Sequence, residues 1–382
     1  MYEINVILLN GQQMKILQVI NNFSRGGGAE KVVFDLAIAL SSHPNIEVSI
    51  LSIQKPSDGE YVEEIKKKYG INTFCLSNRL KSFRNLFALK EYLCDDYDII
   101  HVHLFPALYY ISIAKMLFNP HATIVYTEHS TKNKRRTKWI FRMIDRFIYS
   151  RYNMVAAISF QVENNLRNAI KSNKIVVINN GIFVKQILDS PQLDLKRELS
   201  LSENVSLVTM VARFVKGKDY YTLFDSLMLL PNNVHVVCVG NGLLFDAAVE
   251  YVTRNDIISD RVHFLGLRQD VVSILKASDI IVLSSEHEGF SIAMLEAMAS
   301  QKPFVASEVE GLKDVALDAA IYFPYQNSSV LAERIIALLN DSNLYHSMAS
   351  KSIQFAYKHD MSVIMEKYYN LYVEQLLSLI HI

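Results

Sequence analysis

Two glutamates, Glu288 and Glu296, are separated by seven residues in a segment whose pattern would bring both close to a ligand. An apolar run ends at Leu283, and the following residues predict a loop and then a helix that begins near Ser291. Glu288 is therefore expected on the loop, with Glu296 about two turns further along. Carboxylates at a strand end accept hydrogen bonds from sugar or ribose hydroxyls. For Glu288 taken alone, a charge that the helix dipole favours would be the default explanation.

Two cations, Arg213 and Lys218, follow another apolar run, at residues 206–212. A guanidinium offers a two-pronged donor to phosphate oxygens, and an ammonium offers a point charge. Fixed cations of this kind, aimed at a developing negative charge, stabilise a transition state. The sequence therefore predicts chemistry that needs no metal and no cofactor.

Glycines form a third group. Gly27 and Gly28 belong to Arg-Gly-Gly-Gly-Ala-Glu (residues 25–30), which follows the first strand pattern and opens a helix, so its amides can approach a phosphate or sugar. Lys31 occupies the position of the third glycine of a dinucleotide-binding fingerprint, which disfavours a dehydrogenase. A tight turn without a ligand also explains this loop.

Three other matches to known motifs fail. Ser291 occupies the position of the second histidine of a zinc-protease motif, and Asp219 stands where a Walker loop needs serine or threonine. Asp96 and Asp98 have ligand types suited to a divalent cation, but they precede their strand and so belong to the wrong end of a sheet. We interpret them as surface residues.

These side chains need a scaffold that gathers strand ends. Short β-branched runs alternate with amphipathic helical patterns along almost the whole chain, which is typical of α/β proteins with parallel sheets covered on both faces. The predicted strands are residues 15–20, 46–53, 72–76, 99–103, 123–127, 154–158, 175–178, 206–212, 234–239, 262–265, 280–283, 304–306 and 320–323. The pattern favours two tandem Rossmann-like doubly wound domains.

The same alternation predicts the domain boundaries. The segments are a leader at 1–13, an N-terminal domain at 14–185, a polar linker at 186–204, a C-terminal domain at 205–360 and a terminal helix at 361–382. No function is assigned to the leader, because the first strand pattern begins directly after Met14.

Composition excludes several classes of protein. The chain has 382 residues, 50% of them hydrophobic, and three cysteines without a CxxC pair, so neither a disulfide scaffold nor a zinc ribbon is expected. No apolar run reaches the roughly 18 residues of a membrane span, and no export leader is recognisable. The sequence predicts a cytoplasmic protein.

The net charge of zero conceals an asymmetry. Residues 1–180 carry eight more cationic than anionic side chains, and the remaining residues carry eight fewer. The excess is concentrated at residues 132–152, where cations alternate with apolar side chains including Trp139 and Phe141. Such a basic amphipathic helix could lie on an anionic lipid surface or bind an acidic polymer. An ordinary surface helix with its apolar stripe on the core explains it equally well.

Taken together, the motifs resemble family 4 retaining glycosyltransferases of the GT-B fold, in the type that builds bacterial polysaccharides. Glu288 and Glu296 resemble the family's Glu-x7-Glu signature. The other matching positions are Arg213 and Lys218 for the diphosphate clamp, Gly240 and Gly242 for a Gly-x-Gly turn, Gly266 for the base loop, Gly289, Phe290 and Ser291 beside the signature, Gly27 and Gly28 for the N-domain loop, and His103 and His129 at strand ends. The sequence departs from the family at Phe183, usually Asp, and at Ala212, usually Gly.

The resemblance implies two domains with a deep cleft between them, and a C-terminal helix that crosses back to the first domain. It implies that Glu296 binds the ribose, that Glu288 binds the donor sugar and that His129 donates a hydrogen bond near that sugar. The partners it implies are a UDP-sugar donor, a lipid-linked oligosaccharide acceptor in O-antigen or capsule assembly, and the inner membrane surface through residues 132–152, with no nucleic acid. The implied location is cytoplasmic and peripheral to the membrane.

Two other functions remain open from the sequence. The same fold also carries enzymes with soluble acceptors and epimerases. A non-catalytic module that binds nucleotides or carbohydrates belongs to a different class, and the presence of Arg213, Lys218, Glu288 and Glu296 together argues against it.

Overall fold

The computed structural model describes residues 13–57, 59–94, 97–131, 138–172 and 174–380, with the side chains of the last two excepted. Residues 1–12 of the predicted leader, Asp96 and the start of the basic stretch at 132–137 lie outside these residues. The chain forms two compact units, one comprising residues up to 181 together with those from 361 onward, and the other comprising residues 182–360.

Unit 1 is built on a parallel sheet of seven strands. The strands are β1 (Met14–Asn22), β2 (Ile46–Gln54), β3 (Asn72–Ser77), β4 (Ile99–His103), β5 (Ile124–Glu128), β6 (Met154–Ala157) and β7 (Ile175–Val177). Their order across the sheet is β3-β2-β1-β4-β5-β6-β7. Successive residues of β1 from Ile16 to Ile20 are all buried, because helices cover both faces.

The helices of unit 1 connect these strands. They are α1 (Gly28–Ser41), α2 (Glu60–Tyr69), α3 (Arg84–Cys94), α4 (Ala107–Phe118), α5 (Trp139–Tyr149) and α6 (Phe160–Ile170). A long C-terminal helix, numbered α16 (Met361–Ile380), also belongs to this unit and packs against α1. Tyr368 and Tyr372 of α16 are both buried.

Unit 2 repeats the plan with six parallel strands. They are β8 (Ser206–Val211), β9 (Val234–Val239), β10 (Val262–Gly266), β11 (Ile280–Leu283), β12 (Phe304–Ser307) and β13 (Ile321–Phe323), in the order β10-β9-β8-β11-β12-β13. The helices are α7 (Val184–Asp189), α8 (Leu195–Glu198), α9 (Tyr220–Leu227), α10 (Phe245–Thr253), α11 (Val271–Ala277), α12 (Ile292–Ala299), α13 (Lys313–Ala316), α14 (Ser328–Asn340) and α15 (Ser342–Lys358).

The strand pattern of the sequence agrees with these two sheets, with differences of one or two residues at strand ends. The segment 186–204 contains α8, and Leu195 of that helix is buried against Leu207 and Val237 in the core of unit 2. Among the described helices, none has both the length and the hydropathy of a membrane-spanning segment.

Candidate active site

The strand order of unit 2 defines where a ligand would bind. β8 and β11 lie side by side, and the chain leaves them in opposite directions across the sheet, towards β9 and β12. At such a reversal the loops after the two strands diverge and leave a crevice outside their carboxyl ends. The loops after β8 and β11 carry Arg213, Lys218 and Glu288, so this crevice gathers the main residues of the predicted site.

Backbone hydrogen bonds hold these two loops together. The amide of Asp219 donates to the carbonyl of Ser284 at 3.0 Å, and the amide of Glu286 donates to the carbonyl of Gly217 at 2.8 Å. Lys218 is paired with Ser285 in an isolated β-bridge. The residue that carries the ammonium is thereby fixed against the loop that carries the carboxylate.

Lys218 and Glu288 form an ion pair across the crevice. Their side chains are 21% and 12% exposed, so the pair is shielded from water yet still accessible from one side. Ser285 Oγ donates a second hydrogen bond to the same Glu288 oxygen, at 3.0 Å. The charge of Lys218 is therefore already balanced by a carboxylate.

Arg213 differs from Lys218 because it is exposed, and its side chain has no ion pair with any described residue. Glycines shape its loop. A Cβ on Gly240 would lie 2.0 Å from the carbonyl oxygen of Ala212, and one on Gly242 would lie 2.4 Å from that of Phe214. Only glycine permits this approach. The predicted Gly-x-Gly turn therefore packs directly against the backbone on both sides of Arg213.

The remaining predicted residues of unit 2 lie at or after the carboxyl ends of its strands. Ser291 caps α12 by accepting a hydrogen bond from the amide of Met294, and Glu296 is half-buried one turn later. Phe290 is 4% exposed and its ring packs on His359, so its side chain serves the core. Gly266 accepts a hydrogen bond from the amide of Gly240 at 2.8 Å and adopts a positive φ of 63°.

Two residues that the sequence motifs did not indicate position this site. Asp219 caps α9 and accepts hydrogen bonds from the hydroxyls of Thr222 at 2.6 Å and Ser284 at 3.0 Å, which joins the two loops. Gly311, with φ of 84°, lies so close to the Glu288 carbonyl that an added Cβ would be 2.0 Å from its oxygen. The Asp-x-x-Thr spacing of a helix cap was the available signal for Asp219; no local pattern marks Gly311.

In unit 1 the glycine loop follows β1, at the reversal between β1 and β4. Gly27 is the N-cap of α1, and a Cβ added there would lie 1.8 Å from Glu30 Oε2, so the Glu30 carboxylate lies against this loop. Arg25 turns away from the loop, because it pairs with Glu60 at 3.0 Å and Glu64 at 2.5 Å.

The strand-end histidines lie near the carboxyl ends of β4 and β5. His103 is fully buried, and its two ring nitrogens contact Gln18 Oε1 at 2.7 Å and His129 Nε2 at 3.0 Å. His103 therefore acts on any ligand through His129, which is half-buried. His101, two residues earlier in β4, contacts Tyr372 and Thr127 at 2.7 Å each.

Burial determines the protonation of these histidines. Desolvation lowers the pKa of His129 to about 4, and desolvation together with the nearby His129 lowers the pKa of His101 to about 3. The pKa of His103 is well below its ordinary value because of burial and the two neighbouring imidazoles. All three imidazoles are neutral at pH 7.

Asp98, whose residue type suits a metal ligand, has a structural contact. Its carboxylate accepts a hydrogen bond of 2.8 Å from the amide of Lys15, at the beginning of β1. It lies at the amino edge of the sheet, away from the glycine loop and the histidines, which follow the carboxyl ends of the strands.

Comparison with known proteins identifies the family. Residues 26–186 match the family model described as "Glycosyltransferase Family 4", and residues 192–355 match "Glycosyl transferases group 1". The chain belongs to the family 4 glycosyltransferases. The first match lies almost entirely in unit 1, and the second lies in unit 2.

The names of individual relatives of this glycosyltransferase indicate different acceptors. An N-acetyl-α-D-glucosaminyl L-malate synthase of Bacillus anthracis is 27% identical over 74% of this chain and 76% of its own. A Campylobacter jejuni N,N'-diacetylbacillosaminyl-diphospho-undecaprenol α-1,3-N-acetylgalactosaminyltransferase is 32% identical over 54% of this chain and 56% of its own. The crystal structure of Anabaena HepE in complex with UDP-glucose superposes with a TM-score of 0.79 at 21% identity, over 96% of this chain and all of HepE.

Proposed function

We propose that this glycosyltransferase transfers a hexose or an N-acetylhexosamine from a UDP-sugar to a lipid-linked oligosaccharide, with retention at the anomeric carbon, during assembly of a surface polysaccharide. The observation that carries the proposal is the Lys218–Glu288 pair, held with Arg213 at the strand reversal of unit 2. It combines a diphosphate-binding cation with a carboxylate that accepts from sugar hydroxyls. The UDP-glucose complex of HepE supports a nucleoside diphosphate sugar as donor.

The donor would be activated through its leaving group. As the bond between the anomeric carbon and the phosphate oxygen breaks, negative charge develops on the diphosphate, and Arg213 and Lys218 stabilise it. Binding of the diphosphate draws Lys218 into contact with phosphate oxygens, which frees Glu288 to accept hydrogen bonds from the sugar. Glu296, on the same helix as the Ser291 cap, would accept from the ribose hydroxyls.

Retention would follow from attack on the face that the diphosphate leaves. The acceptor oxygen forms its bond to the anomeric carbon while the phosphate oxygen departs, and that oxygen takes the proton of the acceptor hydroxyl. Charge and protons balance without a metal or a redox cofactor, so we propose that neither is required. His129 would form a hydrogen bond with a hydroxyl group of a substrate.

The lipid-linked acceptor is supported by the surface of α5. The side chains of Trp139, Ile140, Met143, Ile144 and Phe147 are 39–73% exposed. Asp145, the one acidic residue of this helix, is buried. The outer face is therefore apolar with cationic flanks, which fits an anionic bilayer rather than a protein core.

A small basic pocket adjoins the end of this helix. Lys115, Arg151 and Lys174 contribute to its lining, and the Arg151 guanidinium lies 4.4 Å from the centre of the Phe147 ring. Burial and the two neighbouring cations lower the pKa of Lys115 to about 8. Phosphate headgroups would meet cations there while the apolar side chains enter the bilayer, so we propose peripheral attachment to the inner face of the membrane.

A soluble acceptor is the second candidate. It is favoured by the B. anthracis relative, which by its name makes a malate conjugate and aligns over more of this chain than the C. jejuni relative does. The exposed face of α5 has no use in a reaction that occurs in solution, which favours the lipid-linked acceptor.

The proposal is tested by transfer assays on the purified protein. UDP-glucose, UDP-galactose, UDP-N-acetylglucosamine and UDP-N-acetylgalactosamine are each offered with undecaprenyl-diphosphate saccharides in vesicles or with L-malate. We expect transfer to the lipid-linked acceptor, with an α-linked product by NMR. Transfer to malate alone would establish the second candidate, a β-linked product would contradict retention, and no transfer from any donor would overturn the choice of a UDP-sugar.

A further inference from the structure

A continuous network of buried polar side chains runs through unit 1 from α16 to His129. Its members are Tyr368, Thr127, His101, Tyr372, Gln18, His103 and His129. All of them except His129 are at most 2% exposed. Water therefore cannot replace the hydrogen-bond partners of these six buried side chains, and each hydrogen bond restricts the direction of the next.

The direction of the network is set at Gln18. Its Oε1, a carbonyl oxygen that can only accept, lies 2.7 Å from His103 Nε2, so Nε2 must carry the hydrogen. A neutral imidazole has one N–H, and His103 Nδ1 is therefore an acceptor. Its partner at 3.0 Å, His129 Nε2, must donate. Neutral His129 is then left with an unprotonated Nδ1.

The other arm agrees with this direction. Gln18 Nε2 donates to the Tyr372 oxygen at 3.5 Å, which directs the Tyr372 hydroxyl hydrogen to His101 Nδ1 at 2.7 Å. His101 must then donate through Nε2 to Thr127 Oγ1, also at 2.7 Å. One orientation of the Gln18 amide thus accounts for every bond, and reversing it would reverse them all.

We propose that Gln18 and Tyr372 are positioning residues that hold His129 in the Nε2–H tautomer, so that its Nδ1 accepts a hydrogen bond from a hydroxyl group of the substrate. No partner for His129 Nδ1 is found among the described residues. The sequence predicted that His129 donates a hydrogen bond, and the network gives it the opposite polarity. The role in substrate binding rests on the proposed function, but the tautomer does not.

The test reads the tautomer directly. Protein labelled with ¹⁵N-histidine is measured without substrate at pH 7.5 by long-range ¹H–¹⁵N correlation, and His129 is assigned by the loss of its signals in His129→Gln. We expect the pattern of a single Nε2–H tautomer in the wild type. The Nδ1–H form, or an averaged pattern, would overturn the proposal whatever the activity of the protein.

Variants then separate positioning from stability. Gln18→Met and Tyr372→Phe remove the amide or the hydroxyl, and we expect a mixture of tautomers at His129 with kcat/KM reduced on the order of 10-fold. Tyr369→Phe is the matched control, because Tyr369 lies on the same helix but stacks on His43 outside the network. A single Nε2–H tautomer in folded Gln18→Met would overturn the proposal; an altered tautomer with unchanged kcat/KM would remove only the role in substrate binding.

Discussion

At the scale of single residues, the two cations of the unit 2 site are not equivalent. Lys218 is shielded and already paired with Glu288, whereas Arg213 is exposed on its loop. In the proposed function, Arg213 would present its uncompensated charge to an arriving diphosphate, while Lys218 would exchange its carboxylate partner for a phosphate. That exchange would release Glu288 to accept hydrogen bonds from the sugar.

We predict that Arg213→Ala and Lys218→Ala each lower kcat by about 10²- to 10³-fold, because each removes a preorganised charge at the developing leaving group. Lys216→Ala is the control, since Lys216 is an exposed cation of the same loop. Steady-state kinetics with the donor found in the transfer assays measures the effect. Equal kinetics in all three variants would remove the assignment of the diphosphate clamp.

At the scale of elements, the position of Glu288 depends on the loop after β12. Gly311 has a positive φ and contacts the Glu288 carbonyl so closely that no side chain fits. The backbone of Glu288 is thus in close contact with a residue 23 positions later in the chain.

We predict that Gly311→Ala lowers both stability and kcat, because the added Cβ must displace the Glu288 loop. Gly70→Ala is the matched control, since Gly70 also has a positive φ but a Cβ added there would have no atom within 4 Å. Backbone strain should lower the free energy of unfolding of the control by on the order of 1 kcal/mol. Overpacking should lower that of Gly311→Ala by roughly a further 1–3 kcal/mol. Urea unfolding measures the stability of both variants. Equal losses of stability in the two variants, with kcat unchanged in Gly311→Ala, would show that the Glu288 loop accommodates the added side chain.

The outer face of α5 gives a second prediction at this scale. Replacing Lys138, Arg142 and Arg151 by Gln should weaken binding to vesicles that contain phosphatidylglycerol by roughly 100-fold at low salt, at about 1 kcal/mol for each cation. Lys66, Lys67 and Lys68 at the end of α2 provide a control triplet of exposed cations. Cosedimentation measures binding. The same affinity in both triple variants, or no binding of the wild type, would show that α5 does not contact the membrane.

At the scale of the whole molecule, the buried histidines connect stability to pH. Their pKa values are lowered in the folded state, to about 4 for His129 and about 3 for His101, whereas an unfolded histidine titrates near pH 6.5. Between about pH 6.5 and 4 the unfolded chain therefore binds more protons than the folded one. The stability is complete above about pH 6.5 and falls as the pH decreases, by up to about 1.4 kcal/mol per pH unit for each histidine.

We predict that the urea midpoint decreases between pH 7.5 and pH 5, and that His129→Gln reduces this dependence. His346→Gln, at an exposed histidine of α15, is the control and should keep the slope of the wild type. Unfolding curves recorded by circular dichroism at three pH values measure how the urea midpoint depends on pH. An identical slope in the wild type and both variants would contradict a neutral His129 in the folded protein.

A last prediction for the whole molecule concerns metal. If Arg213 and Lys218 supply the charge that a divalent cation would otherwise provide, as proposed, transfer should continue after dialysis against EDTA at an unchanged rate. The assay compares dialysed protein with the same protein after Mn²⁺ or Mg²⁺ is restored. A loss on dialysis that either ion reverses would contradict the proposal.

The architecture could be predicted from the sequence, since β-branched runs and helical patterns in strict alternation can bury their apolar faces only as parallel sheets covered by helices. The same pattern placed Arg213, Lys218 and Glu288 in loops after strands, and the strand order of such sheets brings those loops to one edge. These inferences succeeded because they depend on local pattern and on spacing along the chain.

Contacts between residues distant in the chain became visible only in the folded protein. The pairing of Lys218 with Glu288, the support of Glu288 by Gly311 and the network from Tyr372 to His129 each join residues far apart in sequence. The burial of Ile148 and the exposure of Ile140 and Ile144 likewise depend on how α5 is rotated against its neighbours. Helical spacing gives these side chains a common face, but only the packed structure fixes which way that face points.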